Sequence, residues 1–178
     1  MIRGRARAVA ARTLATSVET FEREGYRVVA TDGFERRLER DGWRAIRLGM
    51  ASGGRVFGGS WALEIASADP VLPPTQGLRG RPRGAVRLSG VGFRPRDGDD
   101  EGARLARRLE EDEALQRSLA RVHFERIRVE PDGRAVIRHM GGSVVWVLFP
   151  PLVRGVPLVP EQARAAVDAL DAFALAAR

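Results

Sequence analysis

The chain has 178 residues, 44% of them apolar and 30% charged, with a formal net charge of +7 and no cysteine. That length fits one domain or two intimately packed halves. The missing thiols exclude disulfides, thiolate metal sites and cysteine nucleophiles, and no apolar run reaches the roughly 18 residues that a membrane-spanning helix needs.

All thirty basic residues are arginine; neither lysine nor asparagine occurs. Both missing types use A/T-rich codons, so the composition points to a GC-rich bacterial genome writing Arg wherever Lys would serve. On that reading most of the positive charge is solvated surface. The first residues carry arginines without an uninterrupted apolar stretch, so no secretory signal is expected and the cytoplasm is the expected compartment.

In chain order, residues 6–24 read as an amphipathic helix. Leu14, Val18 and Phe21 recur at helical spacing, with Ala10 or Ala11 one turn earlier and Gly25 as the stop. Tyr26 to Ala30 reads as a strand, followed by a turn at Thr31-Asp32-Gly33. Phe34 to Glu39 and Trp43 to Met50 form a hairpin around Asp41-Gly42. Trp61, Leu63 and Ile65 alternate with Ala62, Glu64 and Ala66, as in a half-buried strand.

Residues 69–84 hold four prolines and few apolar anchors. They are expected to be an exposed, irregular linker between a first half, 1–68, and a second half, 85–178, within one compact unit. Ala85 to Phe93 reads as a strand. Residues 101–121 read as a helix whose apolar stripe, Leu105, Leu109, Leu115 and Leu119, skips a beat at Asp112-Glu113. That skip predicts a kink or two short helices.

Val122 to Glu130 and Arg134 to Met140 form a second hairpin around Pro131-Asp132-Gly133. Val144 to Phe149 is apolar throughout and is expected to be a central strand covered on both faces. Residues 150–160 hold four prolines but also Leu152, Val153, Val156 and Leu158, so a stiff, packed connector is expected. Pro160 opens the last helix, which turns Val167, Leu170 and Phe173 or Ala174 inward.

Hairpins on one layer and helices on another give the expected fold class, α+β, as a two-layer antiparallel sheet with helices on one face. The sequence also repeats itself. With one gap after Arg36, nine of the fifteen positions from Phe34 to Leu48 recur in the stretch from Phe124 to His139. Gly58-Gly59-Ser60 and Gly141-Gly142-Ser143 follow the two copies. This predicts an internal duplication of a helix–hairpin–strand unit. The element order resembles that of the small dimeric chaperones of bacterial secretion systems, in order alone; those proteins lean acidic, and no function follows from the likeness.

Chemistry-bearing residues are sparse. In the simplest hairpin register His139 lies opposite Glu125 near Ser143. A carboxylate–imidazole pair there could orient a base toward a hydroxyl, and an ordinary cross-strand polar pair explains the same residues. No HExxH, paired CxxC or calcium loop is present, and no metal or cofactor is expected.

Arg79-Gly80-Arg81-Pro82, followed by Arg83, resembles the core of the AT-hook, whose extended Arg-Gly-Arg enters the narrow minor groove. A flexible linker accounts for it equally. Arg126, Arg128 and Arg138 are expected to share a sheet face with Phe124, Val136 and Met140, a mixture able to hold single-stranded nucleic acid.

The leading expectation is a non-catalytic binding or adaptor protein. Its partner, a protein or a second copy, would meet Leu152, Val153 and Leu158 or an exposed sheet face. Weak nucleic-acid binding through Arg79, Arg81, Arg83 and the sheet arginines is the alternative. An enzyme built on Glu125, His139 and Ser143 comes third. No membrane partner is expected.

Overall fold

The computed structural model describes residues 2–55, 58–84, 90–147, 149 and 152–177, with backbone only at 2, 3 and 55. The chain runs α1 (Ile2–Arg23), β1 (Arg27–Asp32), β2 (Glu35–Glu39), β3 (Ile46–Arg55), β4 (Gly58–Ser67), β5 (Leu78–Arg83) and β6 (Gly90–Pro95). It continues through α2 (Asp100–Glu111), α3 (Glu113–Ala120), β7 (Phe124–Val129), β8 (Ala135–Val147), β9 (Leu152–Val156) and α4 (Pro160–Ala176). The fold is α+β: among the described residues there are four helices and a nine-stranded sheet in the order β1-β2-β3-β4-β8-β7-β5-β6, with β9 also on β8. Every pairing is antiparallel.

Strand register sorts the side chains into alternating rows. One row crosses the sheet as Leu48, Ile65, Ile137, Ile127, Gly80 and Phe93, each opposite the next. All six are buried. All but Gly80 join a single apolar cluster with Leu14, Val18 and Phe21 of α1, Leu105 and Leu109 of α2, Leu115 and Leu119 of α3, and Val167, Leu170 and Phe173 of α4. Each such side chain stabilises the fold by about 1.5–3 kcal/mol through burial.

The neighbouring row runs Arg47, Ala66, Val136, Arg128, Arg79 and Arg94. Successive residues of a strand point to opposite faces, so this row lies on the face away from the cluster.

α1 starts four residues before the expected 6–24 span, and α4 opens at Pro160 as expected. Asp112 closes α2 and caps α3, its carboxylate accepting the Leu115 N–H at 2.8 Å. The skipped beat is therefore a capped break between two helices.

β8 is the long spine. β4 takes one of its edges, while β7 and then β9 take the other. The register against β4 jumps between Leu63, opposite His139, and Trp61, opposite Val144. The extra residues bend β8 at Gly142, which has φ +70. A Cβ there would crowd Leu63 and come within 3.0 Å of the Ser17 hydroxyl, so only glycine fits the bend.

Three expectations change. The linker 69–84 contains β5, which lies between β6 and β7; alternation of Leu78 and Gly80 with arginines was the missed strand signal. The connector contains β9; Pro150 and Pro151 lie outside the described residues, as do 85–89 of the strand expected from Ala85. Val144 to Val147 is not covered on both faces: Val144 is buried and Val145 is 48% exposed.

The paired motifs sit in comparable places without sharing a register. Phe-Glu-Arg leads into β2 and into β7. Ile46 faces Leu38, but Ile137 faces Ile127 and not Val129, the residue that the repeat aligns with Leu38. Gly58-Gly59-Ser60 opens β4, whereas Gly141-Gly142-Ser143 lies within β8.

Candidate functional site: an arginine-lined sheet face

The core requires Leu78 and Gly80 of β5, Val91 and Phe93 of β6, and Ile127 and Val129 of β7. The residues between them, Arg79, Arg81, Arg94, Arg126 and Arg128, therefore share the opposite face. Arg79 stands directly across from Arg94 on one side and Arg128 on the other. Like charges placed opposite each other are destabilising, so this row favours an anion nearby.

The protein supplies that anion for only part of the row. Glu64 accepts both Nη1 and Nη2 of Arg128, at 2.6 and 2.8 Å, and Nε of Arg138 at 3.1 Å. Arg128 Nε also donates to Glu130 at 2.7 Å. Burial acts to raise the Glu64 carboxyl, but the hydrogen bonds and charges of Arg128 and Arg138 outweigh it and hold the group below its ordinary range. Arg83 donates to Glu110 at 2.6 Å.

Arg79, Arg81, Arg94, Arg96 and Arg126 are exposed and form no ion pair among the described residues. A groove of about 500 Å³ runs past Arg79, Arg81, Arg94, Arg96 and Arg128, lined also by Asp97 and Glu130.

Two details differ from expectation. Phe124 lies opposite His139 and is buried in the core, so it shares no face with Arg126, Arg128 and Arg138 and offers no stacking ring. The Arg-Gly-Arg-Pro segment is strand β5. A Cβ on Gly80 would meet Val91, Ile127 and Phe93 at 3.0–3.1 Å. That glycine serves packing against the core, so the segment is not free to enter a minor groove. Arg94 and Arg96 escaped the sequence reading; the alternation of Arg94 with Phe93 was the available signal.

Glu125, His139 and Ser143 line one cleft of about 590 Å³, but their hydrogen bonds do not form a relay. A bulge in β7 displaces Glu125 from His139. His139 Nδ1 accepts the Gly141 N–H at 2.8 Å, which leaves the proton on Nε2, 3.3 Å from Gln162 Oε1. Burial depresses this imidazole, against the opposing pull of Gly141 and Gln162. The Ser143 hydroxyl donates to the His139 carbonyl at 3.1 Å, not to the ring.

The three connector residues part company. Leu158 is 5% exposed within the core, Val153 packs against it, and Leu152 is 54% exposed. Leu152 faces Val147, and exposed Val145 and Val156 lie on the same face, with exposed Arg154 between Leu152 and Val156 and opposite Val145.

Residues 20–177 match the family model described as "Protein of unknown function (DUF3156)". The chain belongs to the DUF3156 family. No curated protein and no solved structure matches it. Among the described residues of this DUF3156 chain, no cluster of three or more His, Cys, Asp or Glu could hold a metal ion, and no helix is long and apolar enough to cross a membrane.

Proposed function

We propose that this chain is a cytoplasmic, non-catalytic binding protein, and that its ligand is the phosphate backbone of nucleic acid. On this reading the helices form one layer, and the sheet face turned away from them is the working surface. The observation that carries it is the group of exposed arginines, Arg79, Arg81, Arg94, Arg96 and Arg126, none of which forms an ion pair among the described residues. A core-driven alternation explains why they share a face; it does not explain why three arginines stand in one cross-strand row.

Strands β5 to β7 add no aromatic ring on that side, so contacts are to phosphate and carry no base readout. The binding is weak, independent of sequence and sensitive to salt. Fluorescence anisotropy of a labelled single-stranded oligonucleotide tests it. Replacing Arg79, Arg81 and Arg126 by Ala should weaken binding at low salt roughly tenfold or more while the melting temperature stays within a few degrees. Undiminished binding by the triple variant sinks the proposal.

A second reading is favoured by the exposed strip of Val145, Leu152 and Val156 on β8 and β9. There a protein partner or second copy would add to the β9 edge. The shared Phe-Glu-Arg and Asp-Gly motifs support descent from a duplicated unit, with the second copy altered in register.

A further inference from the structure

The sheet ends at β1, which pairs with β2 and with no other strand among the described residues. All six of its residues, Arg27 to Asp32, are exposed, Val28 and Val29 among them. At the opposite end of the sheet, Gln116 and Glu110 accept N–H groups of β6 and close that edge. Among the described residues no side chain does the same for β1, and the strand carries no proline and no charge between its two ends. Its second row of backbone N–H and C=O groups is open to another strand.

The register of β1 makes that edge self-complementary. On β2, Glu35, Arg37 and Glu39 share one face, and Arg36 and Leu38 share the other. Arg27 and Asp32 pair with Glu39 and Glu35, so both stand on the first face. Val28 and Thr31 pair with Leu38 and Arg36, so both stand on the second. In a regular strand, residues five apart point to opposite sides. Here the bulge between Val28 and Ala30 adds a residue and brings Arg27 and Asp32 to one side. From either end the strand then reads as a charged residue, a β-branched residue and the Val29-Ala30 centre, with opposite charges at the two ends.

We propose that β1 is the contact between two copies of this chain, laid antiparallel, edge to edge, about a two-fold axis. Arg27 of each copy then meets Asp32 of the other, and Val28 meets Thr31. A parallel pairing would set Arg27 against Arg27 and Asp32 against Asp32, which is destabilising, so the charges select the antiparallel arrangement. Asp32 forms no ion pair among the described residues and lies opposite Glu35 within its own sheet. A guanidinium of the second copy supplies the missing counter-charge. Arg27 reaches Asp41 at 3.0 Å with both side chains mostly exposed, so it stays accessible. Valine and threonine favour the extended backbone that such pairing needs. The contact involves neither the arginine face nor β9.

Sedimentation velocity over a concentration series tests the proposal. A contact this small predicts a reversible dimer with a dissociation constant of roughly 1–100 μM. Arg27→Asp and Asp32→Arg each set like charges against each other at both ends and should weaken the dimer roughly tenfold or more. Mixing the two variants puts opposite charges back at both ends. The mixture should therefore dimerise about as well as the wild type, while neither variant does so alone. Both positions are exposed, so the melting temperatures should stay within a few degrees. A wild type that remains monomeric up to roughly 1 mM overturns the proposal, as does a mixture that stays monomeric. A dimer that both single variants leave intact overturns it too, and is the outcome expected of pairing at β9.

Discussion

His139 is tied into the fold through its ring. Both ring nitrogens are engaged by Gly141 and Gln162, and burial holds the imidazole below the ordinary value of 6.5. The unfolded chain therefore takes up the proton first, and the stability is fully present above that value. It is lost as pH falls from 6.5 through the folded value, where protonation also displaces the Gly141 N–H. Thermal melts between about pH 7.5 and 5 should show falling stability, and His139→Gln should flatten that dependence. An equally steep fall in the variant would remove His139 from the account.

Glu64 makes the complementary case. Glu64→Gln should destabilise by about 2–4 kcal/mol, because it leaves the largely buried Arg138 without its counter-charge while the partly exposed Arg128 keeps some solvent. Chemical denaturation measures this directly. The depressed Glu64 carboxyl contributes above the ordinary carboxylate range, and that contribution is lost as pH falls through its folded value. The sequence named Arg128 and Arg138 but not Glu64, because the contact joins β4 to β7 and β8 across residues far apart in the chain.

At the scale of elements, the sheet's edges are treated differently. On β6, Gln116 of α3 accepts the Val91 N–H at 2.7 Å and Glu110 of α2 accepts the Phe93 N–H at 2.6 Å. Side chains from the helices thereby occupy a strand edge that would otherwise invite another chain. Gln116→Ala should cost about 1–2 kcal/mol, read by denaturant midpoint, since it strands the Val91 N–H. Among the described residues β9 pairs with β8 and no other strand, and nearby Leu158 belongs to the core. Leu158→Ala should cost about 2–3 kcal/mol in stability without changing oligomeric state; a change in self-association at constant melting temperature would return that residue to an interface.

The helices were legible because their signals are local. The stripes of α1 and α4 and the break at Asp112 are written in residues three and four apart. β5 and β9 were not, because arginines, prolines and glycines satisfy linker composition as well as strand alternation. Only the pairing of Gly80 with Ile127 and Phe93 makes the strand necessary. The bend at Gly142 turned an expected turn motif into the middle of β8, and the bulge beside Glu125 separated the expected acid–imidazole pair.

Over the whole molecule, charge was legible as an amount but not as a pattern. An arginine-only basic set looked like codon bias spread over a surface, and much of it is ordinary: Arg27 with Asp41, Arg37 with Glu39, Arg164 with Glu24. The fold leaves a group on β5 to β7, with Arg96 beside them, outside such pairs. The most direct test is the salt dependence of single-stranded oligonucleotide binding, measured by anisotropy for the wild type and the Arg79, Arg81 and Arg126 to Ala triple variant. At about 0.7 per phosphate contact on a single strand, engagement of all five exposed arginines predicts a slope of log K against log salt of about −3.5 for the wild type, shallower by about 2 in the variant. A wild-type slope near zero, or the same slope in both proteins, would contradict a working surface on this face.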